Sequence, residues 1–157
     1  AMAFAALGDS ARAWELARML NPVNHGNSAE AIEVYKVEPY VVSADVYAVE
    51  PHAGRGGWSW YTGSAGWMYQ LLVESLLGLQ LQGARLRLVP VLPAQWPGFS
   101  LTYRFGVTEY QIEVRQSSTA DSSPQVRLDG VLQATSEVLL VDDGAAHRIE
   151  IECRSQP

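Results

Sequence analysis

Thr62 and Gly63 stand where this sequence could hold an anion. They belong to Tyr61-Thr62-Gly63-Ser64, directly ahead of a run whose leucines return at helical spacing. A helix beginning there brings free backbone N–H groups, the positive end of its dipole and two hydroxyls to one point. An anion suits such a point, and an ordinary hydroxyl cap suits it too. The residues just before it favour a sugar. Trp58 and Trp60 offer stacking faces, Arg55 lies among Gly54, Gly56 and Gly57, and Glu38, Asp45 and Glu50 supply carboxylates. Two carboxylates can run glycoside cleavage, but loop carboxylates are mostly solvated, and no general acid is assigned among these three. The alternation of Trp58 and Trp60 sends one to the core and the other to a stacking surface, or sends both to the core. The glycines around Arg55 fit either close backbone approach to a ligand or a flexible turn.

Two kinds of element must position these groups. The opening AMAFAALGDSARAWELARML reads as a helix end, a break at Gly8-Asp9 and a second helix over 10–20 with Trp14, Ala17 and Leu20 on one face, half of a helical hairpin array. Pro22, Gly26 and the asparagines break the chain, and Ser28 begins a short turn. A loop of about 30 residues follows, and irregular segments of that length are usually functional or disordered; the aromatic density of this one opposes disorder. From Ser64, Trp67, Leu71, Leu72 and Leu76 predict a helix of about fourteen residues stopped by Gly78. Beyond Gly83 the period becomes 2: Leu86 and Leu88, then Leu101, Tyr103 and Phe105, then Tyr110, Ile112 and Val114, and finally Ile149, Ile151 and Cys153. Asp129-Gly130 and Asp143-Gly144 are placed as hairpin turns, and Pro90, Pro93 and Pro97 make the segment around Trp96 an edge or connector.

Composition narrows the function. The 157 residues are 48% hydrophobic, enough for a core. The net charge of −6, with one lysine among eleven basic residues, opposes nucleic-acid binding. The lone Cys153 forms no internal disulfide and reads as a small apolar residue in a strand. His25 and His52 are isolated from other ligands, so no metal is expected. No apolar stretch reaches the ~20 residues a membrane span needs, so no membrane contact is expected of this segment. Nucleotide-binding, serine-hydrolase and redox motifs are absent.

Three stretches carry a resemblance: YKVEPYVVSADVY, GRGGWSWYTGSAGWMY and LRLVPVLPAQWPGF. They resemble the C-terminal part of inverting phosphorylases of glycoside hydrolase family 94, in particular the phosphorylase-like domain of cyclic β-1,2-glucan synthases and the β-1,2-oligoglucan phosphorylases. The likeness runs over residues 1–115 and more loosely beyond. It implies an α+β arrangement: the last helices and active-site loop of an (α/α)6 barrel over residues 1–80, then an antiparallel, jelly-roll-like β-sandwich over 81–157.

In that family phosphate attacks the anomeric carbon while one Asp protonates the glycosidic oxygen, so a single carboxylate suffices. The resemblance makes Thr62 and Gly63 phosphate contacts and places Glu38, Tyr40 and Asp45 along the sugar cleft, with Arg55, Trp58 and Trp60 as neighbours. It implies β-glucan oligosaccharide and inorganic phosphate as co-substrates, glucose 1-phosphate as product, and no cofactor. The family's acid belongs to an upstream Gly-Asp-Trp-Asn-Asp motif that this sequence lacks; Asp9 falls in a turn, so no catalytic residue is assigned. The phosphate pocket's Arg and His are expected upstream too. The chain is therefore expected to be a fragment, inactive without the rest of its parent. A cytoplasmic location is expected, with the parent either free or held in the inner membrane with this domain on the cytoplasmic side. The competing reading is a non-catalytic carbohydrate-binding module whose sandwich presents Trp96, Phe99 and Tyr103.

Overall fold

The computed structural model describes residues 1–60, 62–120 and 123–154, with Thr62 described by its backbone alone. Helix α1 (Met2–Ala6) and helix α2 (Ser10–Leu20) form a tight hairpin. Asp9 starts α2 by accepting the Arg12 amide at 3.0 Å. Ala5, Ala13 and Ala17 are buried together, and their small side chains let the helices approach closely. Trp14 is partly buried as expected, but Leu20 faces outward at 54% exposure. Helix α3 (Pro22–His25) is a single turn capped by Asn21, with Pro22 at its first position. Ser28 begins more than a turn: its hydroxyl accepts the Ala31 amide and starts helix α4 (Ala29–Tyr35). Only Tyr35 of α4 is buried, so AEAIEVY carries no apolar stripe by which the sequence would announce a helix.

Helix α5 (Thr62–Gln70) runs straight into a π-helical stretch, Leu71–Leu76. There the Leu77 amide reaches back five residues to the Leu72 carbonyl at 2.9 Å. Leu71 and Leu76, also five apart, are consequently the buried pair, whereas Trp67 is 63% exposed. Gly78 ends the helix at φ 77° and delivers the chain to the strands.

Among the described residues eight strands follow: β1 (Leu79–Gln82), β2 (Arg85–Leu88), β3 (Gly98–Phe105), β4 (Thr108–Ser117), β5 (Gln125–Leu128), β6 (Val131–Leu132), β7 (Glu137–Leu139) and β8 (Ala146–Arg154). They form a three-stranded sheet, β1-β2-β7, and a five-stranded sheet, β3-β4-β8-β5-β6. Both sheets send apolar side chains into one core: Leu86, Leu88 and Val138 from the first, Tyr110, Ile112 and Ile149 from the second. The alternation in β4 is clean, with Tyr110, Ile112 and Val114 buried while Gln111 and Arg115 face outward.

Two expectations change here, and a third holds. The larger sheet is mixed rather than antiparallel, because β8 pairs parallel to β4, with Ile112 opposite Ile149. Period-2 patterning reports which face is buried and not the direction of the partner strand. Asp129-Gly130 does turn the β5–β6 hairpin, both residues having positive φ (48° and 80°). Asp143-Gly144 does not turn a hairpin: it lies on the crossover that carries the chain from β7 in one sheet to β8 in the other.

The connector over 89–97 ties helices to sheets. The Trp14 indole donates to the Val91 carbonyl at 2.6 Å, and the Trp14 and Trp96 rings lie 4.7 Å apart. Gln116 donates to the Pro93 and Trp96 carbonyls at 2.8 and 2.7 Å.

Candidate functional site

Tyr35 is the post around which the long loop is wound. It ends α4 at 2% exposure, its ring stacks on His25 at 4.9 Å, and its hydroxyl donates to Ser43 at 3.1 Å. Lys36 then turns the chain through a left-handed conformation, φ 57°. The loop folds back on itself as two limbs. Ala44 donates to the Trp58 carbonyl at 2.7 Å, Gly57 to Asp45 at 2.9 Å and Tyr47 to Arg55 at 2.9 Å, while Gly56 donates to Tyr35 at 2.9 Å. The limbs leave no room for side chains at two positions. A Cβ on Gly56 would lie 2.4 Å from Val37 Cγ2 and 2.9 Å from Tyr35 Cε2, and one on Gly57 would lie 1.9 Å from Asp45 Oδ1. These two glycines therefore serve limb packing, which neither the flexible-turn reading nor the ligand reading had anticipated.

The fold brings three predicted residues together at the loop's end. Trp60, held at φ 62°, donates its indole N–H to Glu38 Oε1 at 2.9 Å. Tyr40 meets the Trp60 ring edge-on, with centroids 6.5 Å apart. The Trp60 indole, Glu38's own backbone amide and the Ser59 hydroxyl hold the Glu38 carboxyl below its usual range. Glu38 is thus an ionised acceptor beside exposed aromatic faces, suited to sugar hydroxyls and unsuited to donating a proton at neutral pH. Neither indole is in the core: Trp58 is 72% exposed and Trp60 68%. Asp45 lies further along the loop against Gly57. Arg55 stands apart, in a recess of about 380 Å³ with Glu33, Lys36 and His52.

Trp60 lies two residues before α5, whose first residue is Thr62. Tyr61 and the Thr62 side chain fall outside what the structure describes. Gly63 is exposed, and a Cβ there or at Gly66 would meet nothing within 4 Å. Beside the first turn of α5 an apolar recess of about 420 Å³ is lined by Met2, Leu20, Val42, Trp67, Met68 and Leu71. Sequence reasoning had missed Tyr35 and Ser59. An aromatic residue just before the loop, and a hydroxyl between two tryptophans, were the available signals.

The residues of the binding-module reading point elsewhere. Phe99 and Tyr103 pack against the core, and Trp96 leans on Trp14. Among the described residues, no three His, Cys, Asp or Glu side chains converge as metal ligands would, and no helix is long and apolar enough to cross a membrane.

Residues 1–78, which hold all the described helices and the aromatic loop, match the family described as "Glycosyl hydrolase 94 superfamily, catalytic domain". The chain carries part of a glycosyl hydrolase 94 domain. Cyclic beta-(1,2)-glucan synthase NdvB of Rhizobium meliloti (strain 1021) is 50% identical over 117 residues, covering 74% of this chain and 4% of that protein. N,N'-diacetylchitobiose phosphorylase of Vibrio proteolyticus is 31% identical over 110 residues, 69% of this chain and 13% of the relative. Solabiose phosphorylase of Paenibacillus borealis is 25% identical over 117 residues, 73% of this chain and 15% of the relative. The glycosyl hydrolase 94 relatives are thus phosphorylases and a glucan synthase, and this chain spans only a small part of their length.

Proposed function

We propose that this chain forms one wall of the active site of an inverting glycoside phosphorylase, whose parent converts a β-linked glucan and inorganic phosphate to glucose 1-phosphate. The observation that carries the reading is the ionised Glu38, flanked by Tyr40 and clamped by Trp60, which lies two residues ahead of the start of α5. Glu38, Tyr40, Trp58 and Trp60 line the sugar side, with Asp45 and Arg55 further out. Thr62 and Gly63 hold phosphate at the N-terminus of α5, where backbone N–H groups need no formal cation to bind an anion. Glycine at 63 and 66 weakens a helix by up to ~1 kcal/mol each, without a neighbour among the described residues that requires it. Close approach from outside the chain supplies the missing reason.

The relative's name favours a β-1,2-linked glucan. The general acid would come from the rest of the parent, since no carboxylate here sits in the family's acid motif. The helices would be the last of an (α/α)6 barrel, and the two sheets a sandwich domain behind it, divided near residue 80. Exposed apolar side chains in the helical part, Leu7 just after α1 at 81% and Met19 on α2 at 61%, fit burial against further barrel helices.

The test is Thr62→Ala in the full-length parent. Loss of a charge-assisted hydrogen bond raises KM for phosphate by about 1–3 kcal/mol, roughly five- to 150-fold, with KM for glucan unchanged. An unaltered phosphate dependence removes Thr62 from the site. The 157-residue chain alone is expected to show no phosphorolysis, and turnover by it would overturn the division of labour proposed here.

A further inference from the structure

A second polar cluster lies in the β part and plays no role in the proposed phosphorolysis. His147 in β8 stacks on Tyr110, its register partner in β4, with ring centroids 5.1 Å apart and planes at 24°. Its two ring nitrogens face two different carboxylates. Nδ1 is 2.7 Å from Asp129 Oδ2, on the β5–β6 turn, and Nε2 is 3.3 Å from both oxygens of Asp143, on the β7–β8 crossover. The imidazole is only 18% exposed, whereas both carboxylates are nearly half exposed.

Ionised carboxylates accept hydrogen bonds and give none, and a neutral imidazole has a single N–H. One neutral ring therefore serves one aspartate, while the imidazolium serves both. The carboxylates are already fixed by the backbone. Asp129 Oδ1 accepts the Arg148 amide at 2.8 Å, and Asp143 Oδ1 accepts the Ala145 amide at 2.9 Å. These amides, followed by smaller contributions from His147, hold both carboxyls below their usual range.

The other charged groups around the cluster are accounted for. Asp142 is engaged by the Val107 amide at 2.8 Å and the Thr108 hydroxyl. Glu109 on β4 pairs with Arg104 at 3.6 Å, and the Arg148 guanidinium pairs with Glu113 and Glu150. The Tyr110 hydroxyl is occupied by both backbone groups of Val141, at 2.9 and 2.7 Å.

We propose that Asp129, His147 and Asp143 form a protonation-controlled latch fastening the β7–β8 crossover to the β5–β6 turn. With both ring protons present the latch is closed. On losing one, the ring keeps its N–H toward Asp129, the shorter contact, and turns a lone pair toward Asp143, loosening the Asp143 side chain and the Ala145 amide bonded to it, while Asp142 stays held by the Val107 amide, Gly144 by the Thr108 hydroxyl and Val141 by Tyr110. The hydrogen bond to Asp129, and then that to Asp143, raise the His147 pKa against the opposing effect of burial. A raised folded-state pKa places the stabilisation fully below the unfolded value of about 6.5, and removes it as pH rises through the folded value.

The experiment is an NMR titration of the 157-residue chain. The His147 midpoint is expected above about 6.5, and the protection factor of the Ala145 amide, corrected for intrinsic exchange, should fall roughly three- to tenfold between about pH 6 and about pH 9. Asp143→Asn should abolish this pH dependence, because its amide can donate to a neutral ring; His147→Gln should abolish it with the crossover left open. A His147 midpoint at or below about 6.5, or Ala145 protection constant over that range, overturns the latch.

Discussion

Gly56 and Gly66 make opposite predictions for the same substitution. Alanine at 56 would place its Cβ 2.4 Å from Val37 Cγ2 and 2.9 Å from Tyr35 Cε2. Ordinary contact begins near 3.4 Å, so the neighbours must yield by about 1.0 Å and about 0.5 Å. Val37 can turn aside. Tyr35 cannot, since it is buried, bonded to Ser43 and stacked on His25. Overpacking of this kind costs about 1–3 kcal/mol. Alanine at 66 meets nothing within 4 Å, on an exposed position inside α5, and should stabilise the chain by about 0.5–1 kcal/mol. Urea unfolding followed by circular dichroism reads both effects as midpoint shifts at unchanged slope. The two variants should bracket the unsubstituted chain. A neutral Gly56→Ala, or a Gly66→Ala that lowers the midpoint, would refute the account of which glycines the fold itself requires.

Two further substitutions probe the clamp and the core. Trp60→Phe keeps the aromatic face but removes the donor to Glu38, so the Glu38 carboxyl should titrate closer to its usual range. Because that pKa is lowered in the folded chain, the clamp's stabilisation is present above the unfolded value and is lost as pH falls through the folded one. Carboxyl carbon NMR measures this, and an unmoved Glu38 midpoint would show that the indole is not what holds it. Tyr110→Phe strands the Val141 N–H and carbonyl that share one hydroxyl, and should cost about 1–3 kcal/mol in thermal unfolding, or about 2–9 °C in Tm. A loss below half a degree would show that water replaces the hydroxyl.

Legibility in the sequence followed the reach of each signal. Helix α2, the Gly78 stop, the Asp129-Gly130 turn and the buried faces of β4 and β8 were all readable, because each rests on residues close in sequence. The parallel pairing of β8 with β4 was not, since Ile112 and Ile149 find each other across 37 positions with nothing local to give direction. Helix α4 escaped because it buries only its last residue. At the site, the motif likeness singled out Glu38, Tyr40 and Trp60, and the fold joins those three. It could not foresee that Arg55 would stand apart in its own recess, or that Gly56 and Gly57 answer to the opposite limb of the loop.

The place of β8 in its sheet sets an order of events during synthesis. β8 lies between β4 and β5, so two strands made earlier each wait for the neighbour that will join them. On the ribosome, the β3–β4 hairpin and the β5–β6 hairpin can close early, yet each leaves one open edge until residues 146–154 emerge. A nascent chain paused just short of that point would present two unpaired edges able to capture each other or a second chain. The helices and the aromatic loop, complete some seventy residues earlier, meet no such delay, so the proposed catalytic wall can be assembled well before the sheet behind it is sealed.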